Sequence, residues 1–148
     1  FHTPCAARVV AARAIPGTLW PVNRLGVEHV DGLFAENERI CAFFEVAPPG
    51  SGSLCIVAVG AMMVGKVRVS FDDLVTNVAR APTTERRYGA EGPCLERGTE
   101  WGRFEFGSTL VMLVARGTAS LAACPPGETI RLGTRIGTLG SSGRLATA

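Results

Sequence analysis

Residues 104–114 read FEFGSTLVMLV, two short apolar runs with the small pair Gly107-Ser108 between them. Short apolar runs bounded by turn residues predict β-strands. A glycine followed by a small polar residue predicts a bend or bulge between such runs. The stretch therefore predicts two strands that meet at a kink at Gly107.

The rest of the chain repeats this pattern, because 18 glycines and 9 prolines separate short runs rich in Val, Ile, Leu and Phe. Helical spacing of the apolar residues predicts one short helix over residues 27–35, and the polar residues 80–99 predict a long loop or a frayed hairpin. The predicted fold class is all-β, a mainly antiparallel barrel or sandwich-like domain with one short helix. The predicted strands are residues 8–12, 39–46, 54–59, 62–71, 103–106, 110–115 and 129–132.

The 148 residues are 47% hydrophobic and 19% charged, which predicts a single domain over residues 1–148 with one core. Residues 140–148 carry one large apolar side chain and predict a disordered tail. The net charge is only +2 and Arg86-Arg87 is the only adjacent basic pair, so no nucleic-acid partner is expected. The longest apolar segment, residues 54–65, is too short for a membrane-spanning helix.

The five cysteines are widely spaced, without a CxxC motif, and the chain has only two histidines. This pattern favours neither a zinc site nor a disulfide framework. We expect all five to be small buried hydrophobic residues. They are Cys5, Cys41, Cys55, Cys94 and Cys124.

Gly107 leaves the carbonyl before Ser108 open to attack by the hydroxyl of Ser108. Such an attack turns the amide into an ester, and removal of the α-proton of Ser108 then splits the chain and leaves a residue that hydrolyses to a pyruvoyl group. By itself the tripeptide is more typical of an ordinary strand bend than of a scissile bond.

Four segments before Gly107 add to this pattern. They are residues 2–5 (HTPC), 19–23 (LWPVN), 29–39 (HVDGLFAENER) and 59–65 (VGAMMVG). Together with Gly107-Ser108-Thr109, and in this order, they closely resemble the phosphatidylserine decarboxylases, the pyruvoyl-dependent enzymes of phospholipid synthesis. The resemblance runs from His2 to about Gly137.

The resemblance implies that the chain cuts itself between Gly107 and Ser108, so that residues 1–107 form the β-chain portion and residues 108–148 the α chain. It implies that His2 is the base for the cut and that Ser108 becomes the covalent pyruvoyl cofactor, without a metal. The pyruvoyl group then forms a Schiff base with phosphatidylserine, which gives phosphatidylethanolamine and carbon dioxide. His29 matches no such role.

The family also carries a region before the segment that matches His2, with a membrane-contacting part, a second histidine and an aspartate that orients the catalytic histidine. We therefore expect an N-terminally truncated sequence of a peripheral protein at the cytoplasmic face of a bacterial-type membrane. The α and β chains of the same proenzyme are the expected partners, and a homodimer is left open. Without the aspartate the histidine loses its orientation, so slow or absent cutting is expected.

Asn23, Asn37 and Arg39 are candidates for orienting a loop or binding a phosphate, although capping and surface ion pairs are the favoured interpretation for each of them. Two alternatives to the enzyme remain open. One is a non-catalytic module similar to the lipoyl or biotinyl carriers, for which Lys66 is the only lysine. The other is a family member that folds without cutting.

Overall fold

The computed structural model describes residues 1–64, 66–107 and 109–140. Its strands pair antiparallel, which confirms the all-β fold class. The elements, in chain order, are β1 (Ala7–Ile15), α1 (Arg24–His29), α2 (Leu33–Glu36), β2 (Arg39–Val46), β3 (Ser53–Val59), β4 (Val67–Val69), β5 (Thr84–Arg87), a 3-10 turn (Gly89–Glu91), β6 (Cys94–Leu95), β7 (Gly102–Phe104), β8 (Thr109–Val114), β9 (Ala119–Leu121) and β10 (Gly137–Leu139).

Six strands form the main sheet, in the order β5-β1-β2-β3-β8, with β6 pairing beside β5 on β1. Strand β2 alternates buried and more exposed residues along its length, as expected for a strand with one face in the core. The predicted range 39–46 matches β2, and 54–59 and 110–115 fall within one residue of β3 and β8.

One face of the main sheet carries the core and packs against the small β4–β7 sheet, which gives the sandwich-like alternative of the predicted fold. Trp101 is fully buried between the layers, with Phe1 and Phe44 against it at ring-centroid distances of 4.4 and 5.5 Å. Such edge-to-face aromatic contacts stabilise the packing of the two sheets in addition to the contribution from the burial of apolar surface. We call the opposite face of the main sheet, which carries Cys41 and Cys55, the outer face.

The predicted strand 62–71 is wrong over most of its length. Met62 and Met63 form an exposed turn, and Met63 has a φ of 70°, a left-handed conformation that an extended strand excludes. Of the described residues in this range, only Val67–Val69 form a strand, which pairs with β7. The apolar character of the methionines therefore does not reflect core packing.

Two other predictions differ from the structure at the periphery. Residues 129–132 are not a strand; the partner of β9 is β10, which follows them. Residues 80–99 are not a loop or a hairpin, because β5 and β6 both pair with the exposed edge of β1. Short polar strands at a sheet edge carry little apolar periodicity, so the pattern conceals them.

The single predicted helix is two helices, α1 and α2, separated around Gly32, which has a φ of 68°. A left-handed glycine interrupts the helical hydrogen bonding and redirects the chain. Asn23 caps α1, since its side chain accepts a hydrogen bond from the Gly26 amide. No helix among the described residues has the length and apolar character needed to cross a membrane.

The expectation that all five cysteines are buried is wrong. Only Cys5 is buried; Cys41 and Cys55 are half-buried, while Cys94 and Cys124 are exposed. Alternation explains Cys41 and Cys55, because both lie on the outer face rather than on the core face of their strands.

Candidate active site

The Gly107 turn, residues 105–107, connects β7 of the small sheet to β8 of the main sheet. On one side the amides of Glu105 and Phe106 donate to the carbonyls of Lys66 and Val64, both at 2.9 Å. Beyond the turn, Thr109 pairs with Val59 at the end of β3. Backbone hydrogen bonds therefore hold both arms of the turn.

Gly107 itself is exposed and has a φ of 65°. Among the described residues, a Cβ at this position would have only the Val64 Cγ2 atom within 4 Å, at 3.9 Å. The need for glycine is thus conformational rather than steric, because residues with a side chain rarely adopt left-handed angles. Ser108, the predicted nucleophile, lies outside the described residues.

Asn37 is a fully buried hydrogen-bonding hub beside the end of β3. Its Oδ1 accepts from Thr18 Oγ1 at 2.9 Å and from the Trp20 amide at 2.8 Å. Its Nδ2 donates to the carbonyls of Trp20 and Gly60, at 2.8 and 2.9 Å. Both hydrogens and both acceptor sites of the amide are used, so the side chain rigidly joins the segment before α1 to the end of β3.

Glu38 and Gly60 pack against each other next to this hub. A Cβ on Gly60 would lie 2.8 Å from Glu38 Cγ, closer than such atoms approach. Glu38 is 6% exposed, and its Oε2 accepts from the Asn77 amide at 2.9 Å. The Gly60 amide in turn donates to the Glu38 carbonyl at 2.8 Å. We call Asn37, Glu38 and Gly60 the Asn37 support.

His2 is half-buried and pairs with Glu100 in an isolated β-bridge. Its neighbours are anchored: the Phe1 backbone nitrogen donates to the Gly102 carbonyl at 2.7 Å and the Thr3 hydroxyl to the Glu96 carbonyl at 2.5 Å. The structure brings the ring of Phe1 to Phe104, just before the Gly107 turn, at 4.7 Å. It does not bring His2 to within 4 Å of the Cβ position of Gly107, so the role of His2 stays a prediction.

The other candidates have structural roles in the described residues. Asn23 is a helix cap, as the capping interpretation expects. Arg39 donates from Nη1 to the Asn37 carbonyl at 2.9 Å and forms no ion pair with a described residue. Lys66 is half-buried, with its carbonyl in a backbone hydrogen bond, which is unlike the exposed lysine of a carrier module.

The sequence interpretation undervalued Asn37 and Glu38. Both lie in the segment 29–39, but composition does not distinguish a buried amide from a surface one. The available signal was their position between the predicted helix and the predicted strand that begins at Arg39. The second residue of that strand, Ile40, belongs to the core. Buried polar side chains at such a junction need partners, and here those partners come from Trp20 and Gly60.

The family model for phosphatidylserine decarboxylase matches residues 1–138. The chain belongs to this family. Among phosphatidylserine decarboxylase proenzymes, that of Anaeromyxobacter sp. (strain K) is 38% identical over 139 residues, which are 93% of this chain and 48% of the relative. The proenzyme of Brevibacillus brevis is 39% identical over 114 residues, 77% of this chain and 40% of the relative.

The proenzyme of Shewanella denitrificans is 37% identical over 147 residues, 96% of this chain and 50% of the relative. The chain thus spans about half the length of the phosphatidylserine decarboxylase proenzymes that it matches. The match includes the N-terminal segment with His2, the Asn37 support and the Gly107 turn.

Proposed function

We propose that this chain is the catalytic portion of a phosphatidylserine decarboxylase proenzyme, which cuts itself between Gly107 and Ser108 and then converts phosphatidylserine to phosphatidylethanolamine and carbon dioxide. The observation that carries the proposal is the Gly107 turn. A left-handed, exposed glycine precedes Ser108, with Val64 as the one described side chain within 4 Å of its Cβ position and with backbone hydrogen bonds on both arms of the turn.

The cut is a rearrangement of the chain's own atoms. The Ser108 hydroxyl oxygen bonds to the Gly107 carbonyl carbon and the amide C–N bond breaks, which moves the acyl group from nitrogen to oxygen. A base then takes the α-proton of residue 108, the electron pair forms a carbon–carbon double bond, and the ester C–O bond breaks to leave Gly107 as a carboxylate. Water converts the resulting enamine to a ketone, and ammonia leaves.

The surroundings of Gly107 fit the formation of a pyruvoyl group at residue 108, because the turn is exposed and, among the described residues, a Cβ built on Gly107 would have only the Val64 side chain within 4 Å. Once formed, the pyruvoyl group supplies an electrophilic carbonyl that accepts the electrons released when carbon dioxide leaves the serine head group. The Asn37 support holds the end of β3 beside this position, so the residues around the group keep their places.

The two chains produced by the cut stay together in this proposal. Residues Thr109–Val114 form β8, which pairs along its whole length with β3 of the other chain. Six cross-strand pairs therefore hold the α chain in the main sheet after the peptide bond is broken. The cut protein acts as a peripheral protein at the cytoplasmic face of the membrane, where its lipid substrate lies.

The test is the full gene product with Ser108→Ala, and Ser120→Ala on the exposed strand β9 as the matched control. Ser108→Ala removes the attacking oxygen, so it abolishes both the cut and the release of carbon dioxide from phosphatidylserine. Denaturing electrophoresis and trapped labelled carbon dioxide report the two effects. A Ser108→Ala protein that still forms two chains overturns the proposal.

A second substitution tests the predicted base. His2→Ala removes the imidazole and blocks the cut, whereas His29→Ala, on the exposed helix α1, leaves the cut unchanged. The fraction of cut chain over time is the measurement. Cutting of His2→Ala at the rate of the unmodified protein excludes His2 as the base while leaving Ser108 in place.

A further inference from the structure

Two cysteines on the outer face of the main sheet form a pair that the proposed decarboxylation does not use. Cys41 lies opposite Val57, and Phe43 opposite Cys55, in the β2–β3 register. Cys41 and Cys55 are therefore diagonal neighbours on one face. Both residues are half-buried, so solvent reaches the pair.

Positive charge lies on one side of this pair. In the β1–β2 register Arg13 is directly opposite Cys41, and Arg39 lies on the same face of β2, two residues before it. Arg13 is in an ion pair with Glu85 of β5, whereas Arg39 has no carboxylate partner among the described residues.

The Cys55 side of the pair is different. Its direct neighbours across the strands are Phe43 on β2 and Leu113 on β8, both apolar. The charged groups on β5, Glu85 and Arg87, pair with each other and lie beyond β1. An anionic sulfur is thus favoured at Cys41 rather than at Cys55.

The ionisation of the two thiols follows this asymmetry. A hydrogen bond from the Cys55 thiol, together with the charges of Arg39 and Arg13, lowers the pKa of Cys41 to about 7 despite its partial burial. The same hydrogen bond, with burial, raises the pKa of Cys55. Near neutral pH a large share of Cys41 is then thiolate, while Cys55 stays a thiol.

We propose that Cys41 is a modification site, at which its thiolate exchanges with a small anionic disulfide and carries the product as a mixed disulfide, with Cys55 and the two arginines as positioning residues. The Cys41 sulfur attacks one sulfur of the reagent, the reagent's S–S bond breaks, and its other half leaves as a thiolate. The disulfide is the only oxidant that the step requires.

The register also predicts what happens next. A resolving attack by Cys55 on the modified Cys41 would form a disulfide inside the protein. Diagonal pairs are separated by roughly 7–8 Å between Cα atoms, whereas a disulfide needs less than about 7 Å. The flanking ladder of β2 and β3 resists the shift that would close this gap. The mixed disulfide is therefore the stable product.

The experiment uses the full chain with Cys5→Ala, Cys94→Ser and Cys124→Ser, so that only the pair remains. The probe is dithiobis(nitrobenzoate), an anionic disulfide that releases a coloured thiolate. We expect one coloured thiolate per chain, a protein mass increased by one thionitrobenzoate, and a rate that rises with pH around a midpoint of about 7.

Cys55→Ala removes the donor and moves this midpoint up by about one unit or more, toward the ordinary thiol value of about 8.5. Cys55→Ser keeps a hydrogen-bond donor at this position, so its midpoint should stay near that of the protein with both cysteines. Comparing the two variants shows whether the loss of the hydrogen bond or the loss of packing moves the midpoint. Cys41→Ser abolishes the reaction at neutral pH. A midpoint unchanged by Cys55→Ala, or two coloured thiolates released with formation of an internal disulfide, overturns the proposal.

Discussion

The Asn37 support and the Gly107 turn lie side by side at one end of the main sheet, yet they are built differently. In the support, Gly60 has no room for a side chain, and the buried amide of Asn37 has partners at every position. In the turn, Gly107 has room but adopts left-handed angles, and its arms are held by backbone hydrogen bonds and by the exposed ion pair between Glu105 and Arg68.

The difference separates two requirements of a self-cutting bond. A bond that must be attacked by its neighbour needs open space and unusual backbone angles, which close packing does not provide. It also needs a fixed position, which an isolated turn does not provide. Here the open turn is exposed while the adjoining support is close-packed. Substitutions in the two regions should therefore differ in their effect on stability.

The largest expected loss of stability is that of Asn37→Ala. The substitution leaves the buried carbonyl of Gly60 and the partly buried amide and carbonyl of Trp20 without their partners. Each unpaired buried group costs about 1–3 kcal/mol, and partial relaxation suggests a total of about 3 kcal/mol. Urea unfolding measures the free energy of unfolding.

Asn23→Ala is the matched control for this substitution. Asn23 is exposed and makes a single capping bond to the Gly26 amide, so its loss costs about 1 kcal/mol. If the two variants lose equal stability, Asn37 is not the hub that its four hydrogen bonds indicate.

Gly60→Ala is expected to cause the second-largest loss of stability. Its new methyl group would lie 2.8 Å from Glu38 Cγ and 3.2 Å from the Glu38 carbonyl oxygen, so a buried segment must shift. Such overpacking costs about 2 kcal/mol. The same urea unfolding experiment checks it, and a variant as stable as the original chain would show that the support is loosely packed.

Gly107→Ala has the smallest effect on stability. The methyl group has space, so the cost is the left-handed conformation alone, about 1 kcal/mol. Gly107→Asn should cost less, because asparagine tolerates this conformation better than alanine. Should alanine prove as stable as asparagine at this position, the left-handed backbone is not what requires glycine.

The four longer strands of the main sheet, β1, β2, β3 and β8, follow from sequence because their apolar residues alternate and their ends carry turn residues. For β2 and β3 the alternation directly reflects burial on one face. The Met62-Met63 turn was mistaken for a strand because two large apolar residues in a Gly-flanked run resemble core residues. Their exposures of 61% and 75% depend on the neighbouring backbone conformation, which periodicity does not describe.

The candidate site is only partly predictable for a related reason. Gly107-Ser108 stands out as a small pair between apolar runs, so the turn itself was predictable. The Asn37 support depends on residues 17 and 23 positions away in the chain, Trp20 and Gly60. No local pattern reveals a hydrogen bond over such separations, although the order of the family segments points to the same region.

The central claim is that the peptide bond after Gly107 breaks and leaves a ketone at residue 108. The most direct measurement is the denatured intact mass of the purified full gene product, before and after treatment with hydroxylamine. The account predicts two chains, of which the smaller begins at residue 108, resists stepwise N-terminal degradation and gains one oxime. A single uncut chain that does not react with hydroxylamine would contradict it.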